Sequence, residues 1–107
     1  MIYENFLAGF TDWRPTQLYW QRFSIAEEYG SEEIKKVYEE ILGESKKDYK
    51  LLTELVMILN HKSWYHCNDI KDSSFCNLYA NLFRKAKKYA EDRLEGDELY
   101  YFLDTID

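Results

Sequence analysis

Apolar residues recur along this chain at intervals of three and four positions, with charged residues between them, as in amphipathic helices. The pattern predicts four helices, at 16–29, 31–42, 48–66 and 74–94, and a short fifth helix near the C-terminus. The first fifteen residues show no clean period and are interpreted as an apolar arm. The predicted architecture is therefore all-α: a single domain with an arm at 1–15 and a compact bundle of about five helices at 16–107.

The two longest predicted helices, 48–66 and 74–94, form a helical hairpin at the centre of this architecture. The first is apolar around most of its circumference, apart from a polar strip that includes Glu54, and is expected to lie in the middle of the bundle. The second has one apolar arc and a charged outer face, so it is expected to cover the first. On that face Lys87 and Lys88 precede Glu91 and Asp92 by four residues, a spacing that favours mutual neutralisation.

Glycines and capping residues predict where the helices begin and end. Gly30 is expected to end the first helix and Gly43 the second. Thr16, Ser31 and Asp97 are predicted N-caps, because their side-chain oxygens can accept hydrogen bonds from the first backbone N–H groups of a helix.

Length, charge and cysteine content narrow the class of protein. A chain of 107 residues with 46% hydrophobic content suits one core. Its net charge of −6 disfavours direct contact with nucleic acid or an anionic membrane. The N-terminal residues lack the basic region of a signal peptide, so we expect a cytoplasmic protein. In that reducing compartment Cys67 and Cys76 are expected to be free thiols; because they flank the interhelical loop, a disulfide is the alternative.

The spacing of the polar residues does not predict catalysis. His61 and His66 are five residues apart, whereas two zinc ligands on one helix face are typically four apart. Adjacent carboxylates on an exposed helix point apart rather than into a shared cleft. We therefore predict a protein that is not an enzyme and uses no cofactor or metal. A small metal or ligand site at His66, Cys67 and Cys76 is the remaining alternative.

Acidic residues are densest at 27–44, where seven glutamates outnumber two lysines. Spaced carboxylates can imitate a nucleic-acid backbone and compete for the groove of a basic protein. Ten tyrosines and three tryptophans add side chains typical of protein interfaces. A solvated helix face and a core filled with bulky side chains are simpler explanations of the same residues. The predicted partner-binding residues are Trp13, Trp20, Glu27, Glu28, Glu32, Glu33, Glu39, Glu40 and Glu44.

Three segments stand out in the C-terminal half: LTELVMILNHKSW at 52–64, LYANLF at 78–83 and YFLDTID at 101–107. Together they resemble small uncharacterised helical proteins encoded on phages and conjugative elements of gut Firmicutes, over about residues 48–107. The resemblance implies a genomic setting but no activity or catalytic residues. In that setting, we expect an accessory or anti-defence protein that blocks the basic nucleic-acid channel of a host protein, for example a CRISPR or restriction nuclease. A structural module that homodimerises through Trp13, Trp20 and Trp64 is the second hypothesis.

Overall fold

The computed structural model describes residues 14–69 and 73–106, and over these residues the chain is a bundle of helices. The elements are α1 (Arg14–Glu27), α2 (Ser31–Ser45), α3 (Tyr49–Trp64), a π-helical turn (Tyr65–Asp69), α4 (Ser73–Arg93) and α5 (Gly96–Ile106). The predicted all-α bundle is confirmed. Most of the predicted N-terminal arm lies outside the described residues, and its last two residues belong to α1.

Helix α3 lies at the centre of the bundle, as its apolar sequence predicts. Every residue from Leu52 to Leu59 is buried. That run includes Glu54, so the prediction that Glu54 lies on a polar strip is wrong. Helix α4 packs along α3. Helices α1, α2 and α5 also contact α3. Because a fully buried Leu or Ile side chain contributes about 2 kcal/mol, this central helix anchors the fold.

Two helix boundaries differ from the sequence prediction. Helix α1 begins before Thr16, because Pro15 is tolerated in a first turn, where its missing N–H has no helical partner. The predicted Thr16 cap is therefore wrong. Gly43 does not end α2, which continues to Ser45. A single glycine lowers helix propensity without forcing a stop, and here the helix runs through it.

Glycine also replaces two of the predicted side-chain caps. Gly30 ends the turn after α1 with a φ of 111° and occupies the N-cap position of α2 without a side-chain hydrogen bond. Ser31 is therefore the first residue of α2 and not its cap. Helix α5 similarly begins at Gly96, whose φ is 59°, so Asp97 lies inside its first turn. Both glycines adopt positive φ values that other residues rarely adopt.

Helix α3 is capped at one end and changes form at the other. The Asp48 carboxylate accepts hydrogen bonds from the backbone N–H groups of Lys50 (2.9 Å) and Leu51 (3.5 Å). At the other end the predicted α-helix to His66 stops at Trp64 and widens into the π-helical turn. A π turn has i to i+5 hydrogen bonds and so holds one residue more than an α turn. His66, within it, is 2% exposed.

Cys67 and Cys76 form a disulfide bond, so the prediction of free thiols is wrong. Cys67 lies in the π-helical turn and Cys76 in the first turn of α4. Their Cα atoms are 4.8 Å apart, within the range that disulfides span. The prediction failed because it rested on an assumed reducing compartment, whereas the hairpin brings the two flanking positions together.

Candidate functional site

Six of the seven predicted glutamates lie on the outer surface of the α1–α2 hairpin. Glu33 is half-buried and the other five are exposed. Helix α2 turns its apolar positions inward, so the intervening glutamates face solvent. We call these six the acidic face: Glu28, Glu32, Glu33, Glu39, Glu40 and Glu44.

The acidic face has few counter-charges. Arg22 of α1 reaches across to α2, where its Nη1 lies 3.1 Å from both carboxylate oxygens of Glu44. Its Nη2 lies 4.0 Å from Glu40. Lys35 pairs with Glu32 at 3.3 Å on an exposed surface. Such exposed pairs contribute little free energy, and the face keeps a net negative charge.

Glu27, the seventh predicted glutamate, points into the molecule and is not part of the acidic face. Its side chain is 17% exposed. Its Oε2 accepts hydrogen bonds from the Tyr79 hydroxyl (2.6 Å) and the Lys62 ammonium (2.9 Å). The Nε2 atom of His66 lies 3.1 Å from the same oxygen. We call Glu27, Lys62, His66 and Tyr79 the buried polar cluster; it joins α1, α3, the π-helical turn and α4.

Burial and hydrogen bonding oppose each other in this cluster. Burial raises the pKa of the Glu27 carboxyl, but the hydrogen bonds from Tyr79, Lys62 and His66 outweigh it and leave the pKa below its usual value. Burial lowers the pKa of the Lys62 ammonium, and the Glu27 carboxylate offsets part of that effect. Both groups are charged at neutral pH, since each stabilises the other at 2.9 Å. Burial and Glu27 raise the pKa of the Tyr79 hydroxyl, which stays neutral.

The Lys62 ammonium is enclosed on several sides. It donates to the Ser24 hydroxyl at 2.7 Å, and it lies 4.1 Å from the centroid of the Trp20 ring. A serine beside a lysine is the arrangement of Ser–Lys hydrolases, in which a neutral amine removes the serine proton. Here Lys62 donates to Ser24 and is held charged by Glu27. The geometry therefore stabilises an ion pair and does not activate a nucleophile.

The His66 ring meets the buried polar cluster through its Nε2 atom. If its Nε2–H donates to Glu27, its buried Nδ1 has no partner among the described residues. The ring stacks on Tyr79 with centroids 5.3 Å apart and meets the edge of Phe75 at 5.4 Å. These contacts fix the ring that orients Glu27.

The predicted tryptophans occupy different environments. Trp20 is half-buried, covers Lys62 and meets the edge of Tyr65 with centroids 6.4 Å apart. Trp64 is 60% exposed at the end of α3. Trp13 lies outside the described residues. The structure therefore assigns Trp20 a packing role and leaves Trp64 on the surface.

The hydrophobic pattern did not lead us to predict the buried polar cluster, although two of its residues leave a signal in the sequence. Lys62 follows Leu55 by seven residues and Leu59 by three, so it occupies the apolar stripe of α3. Glu27 follows Phe23 by four residues and extends the apolar stripe of α1 in the same way. A charged residue at a stripe position indicates a buried ion pair.

No group of three or more metal-ligating side chains converges within residues 14–69 and 73–106. The disulfide uses both sulfur atoms that the alternative metal site required, and His66 is hydrogen-bonded to Glu27. Helices in the described part of the chain are too short or too polar to cross a bilayer. Comparison with protein-family models, curated protein sequences and solved structures gave no match to this chain.

Proposed function

We propose that this chain is a non-enzymatic protein-binding module from a mobile element, an anti-defence inhibitor that covers a basic nucleic-acid-binding surface of a host CRISPR or restriction nuclease. The acidic face carries this proposal, because its six glutamates outnumber the three cations of residues 17–45, which are Arg22, Lys35 and Lys36. The proposed place of action is the cytoplasm. The proposed interaction needs no cofactor or metal and no direct contact with nucleic acid or membrane.

The spacing of the carboxylates supports competition with a phosphate backbone. Glu32 and Glu39 are seven residues apart on α2, as are Glu33 and Glu40, so each pair lies on one side of the helix about 10 Å apart along its axis. The face therefore presents two rows of negative charge. Such a surface attracts a basic groove over a distance limited by ionic screening, and inhibition should weaken as salt is added.

The test is displacement of DNA from a purified nuclease. Fluorescence anisotropy of a labelled duplex, bound to a CRISPR or restriction nuclease from a Firmicutes host, reports release when the chain is added. We expect release at a concentration that rises with salt.

The discriminating variant replaces Glu28, Glu32, Glu33 and Glu39 by glutamine. It leaves Glu27 with its buried partners and Arg22 with Glu40 and Glu44, so the fold is preserved. We expect DNA release to require about tenfold more protein, since several surface charges together contribute about 1.4 kcal/mol.

A matched control removes four charges from the acids of α4, α5 and the segment between them. All four control residues are exposed. The control substitutions are Glu91→Gln, Glu95→Gln, Glu98→Gln and Asp104→Asn. The control should release DNA as the wild type does. An equal loss in both variants would show that net charge, and not the acidic face, is responsible.

A second candidate, an assembly module acting through homo-oligomerisation, is favoured by the exposed aromatic end of α3. Trp64 is 60% and Tyr65 38% exposed. Sedimentation equilibrium at high protein concentration distinguishes the two candidates. A dimer that Trp64→Ser dissociates would support assembly, and a monomer of 13.0 kDa would count against it.

A further inference from the structure

Helix α1 carries large apolar side chains on its solvent side. Leu18 and Ile25 are 56% and 58% exposed, and their seven-residue separation places them on one face. Arg22 lies between them, and Tyr29, 77% exposed, follows in the turn after the helix. We call Leu18, Arg22, Ile25 and Tyr29 the α1 seam. Within α1, the intervals of four and three residues between Leu18, Arg22 and Ile25 are those at which one helix docks against another.

The α1 seam is bordered by negative charge. Arg22, in its middle, holds the Glu44 carboxylate at 3.1 Å and lies 4.0 Å from Glu40. Glu28, exposed, stands between Ile25 and Tyr29 in the sequence. Apolar side chains with a charged rim are the usual composition of a protein-binding surface, and here one cation, Arg22, lies among the apolar side chains. The rim here complements lysine or arginine.

We propose that the α1 seam docks an amphipathic helix of the partner, whose apolar stripe is flanked by lysine or arginine residues. This inference rests on the proposed function and names the part of the partner that is recognised. The helical part of the seam, Leu18 to Ile25, spans about 10 Å, so with Tyr29 beyond it the seam matches roughly two to three turns of the docked helix. A second copy of the chain fits less well, because it would bring its own acidic face and a net charge of −6 against the first.

Binding of a designed peptide to the full-length chain tests the inference. The probe is a fluorescein-labelled helix of ~18 residues with leucine on one face and lysine on its flanks, long enough to cover the seam. A second, control peptide carries glutamate in place of every lysine. Fluorescence anisotropy should show binding of the lysine peptide and none of the glutamate peptide.

The seam variant is Ile25→Ser combined with Tyr29→Ser, and the control is Tyr100→Ser, which removes a side chain that is 73% exposed on α5. Circular dichroism and thermal melting establish that each variant folds. We expect the seam variant to bind the peptide about tenfold more weakly, because it lacks two large side chains that anchor the interface. The control variant should bind the peptide as the wild type does.

Several outcomes would overturn the inference: equal binding by the seam variant, tight binding of the glutamate peptide, or a dimer of the full-length chain that the seam variant dissociates. The last would assign the seam to a second copy. Failure of the inference is separable from failure of the proposed function. If the seam variant releases DNA from the nuclease as well as the wild type does, the inference fails alone. If the wild type releases no DNA, the proposed nuclease target fails, whatever the peptide does.

Discussion

Glu27 and Glu28 are adjacent and chemically identical, yet their surroundings give them opposite roles. Glu27 accepts hydrogen bonds from Tyr79 and Lys62 and lies within 3.1 Å of the His66 ring. Glu28 is exposed in the turn that leads to α2. Removing the first charge leaves Lys62 as an uncompensated ammonium that is 2% exposed, whereas removing the second changes only the surface.

Glu27→Gln should lower the free energy of unfolding by about 3 kcal/mol, because breaking a buried ion pair strands its partner. Urea unfolding at neutral pH, followed by circular dichroism, measures the change. Glu28→Gln is the matched control and should stay within about 0.5 kcal/mol of the wild type. Similar values for the two variants would show that Lys62 does not depend on Glu27.

The contribution of Glu27 should also depend on pH. Its pKa lies below the usual value of 4.5 in the folded protein, so the folded state favours the charged carboxylate. The resulting stability is fully present above about pH 4.5 and is lost as the pH falls through the lower, folded-state pKa. The difference in unfolding free energy between wild type and Glu27→Gln should therefore shrink between pH 7 and about pH 3. A constant difference over that range would contradict the assignment.

Buried tyrosines should make the protein sensitive to alkali. Burial, followed by the nearby carboxylates of Glu44 and Glu54, raises the pKa of Tyr19 from 10.0 to about 12. Because the folded state favours the neutral phenol, its contribution is present below about pH 10 and is lost as the pH rises to about 12. As the pH is raised, the ultraviolet absorbance of tyrosinate should therefore increase in two stages. The second stage should coincide with unfolding, as monitored by circular dichroism. A single early stage would show that Tyr19 is accessible.

At the scale of the elements, two glycines stand in contrasting helical contexts. Gly43 lies inside α2 and Gly30 precedes it with a φ of 111°. A Cβ atom built at either position meets nothing within 4 Å. Any difference between alanine substitutions at the two sites therefore comes from the backbone.

Gly43→Ala should stabilise the protein by about 0.5–1 kcal/mol, because alanine favours a helix interior and restricts the unfolded chain. Gly30→Ala should destabilise it by about 1–3 kcal/mol, because its backbone conformation is essentially restricted to glycine. Thermal melting of the two variants should show shifts of opposite sign. A destabilising Gly43→Ala would mean that α2 is not continuous through this position.

The sequence predicted the elements better than their ends. The three- and four-residue spacing identified the five α-helices of residues 14–69 and 73–106, because each must turn one apolar side to a shared core. It misplaced the end of α2, because a helix can run through an exposed glycine when both flanking turns are packed. It missed the π-helical turn and gave the disulfide only as the alternative to free thiols, since both features depend on how α3 and α4 meet and not on either pattern alone.

At the scale of the whole molecule, the sequence could not predict that the residues of the buried polar cluster come together. Glu27, Lys62 and Tyr79 are far apart in the chain and come from three helices. Each could be recognised as a polar residue on an apolar stripe, but pairing them required the arrangement of α1, α3 and α4. The acidic face was easier to predict, because one hairpin supplies all of it and solvent exposure follows from the amphipathic pattern of α2.

The Cys67–Cys76 disulfide should stabilise the whole fold by about 2–3 kcal/mol, since it closes a short loop in the unfolded chain. Urea unfolding with and without dithiothreitol measures this contribution. The double variant Cys67→Ser, Cys76→Ser should unfold at the lower urea concentration in both conditions. Equal stability of oxidised and reduced wild type would contradict the expectation. Equilibration in glutathione buffers then shows whether the bond persists at the potential of a reducing cytoplasm.

The π-helical turn requires a fixed number of residues at the junction that follows α3. Five residues, Tyr65–Asp69, occupy a widened turn that brings His66 to Glu27 and Cys67 to Cys76. Deleting one residue there would restore a regular helix without altering either apolar stripe. The deletion would also rotate the His66 imidazole away from Glu27 and the Cys67 sulfur away from Cys76. Substitutions at this junction should consequently be tolerated far better than insertions or deletions, and related sequences should differ there in residue type but not in number.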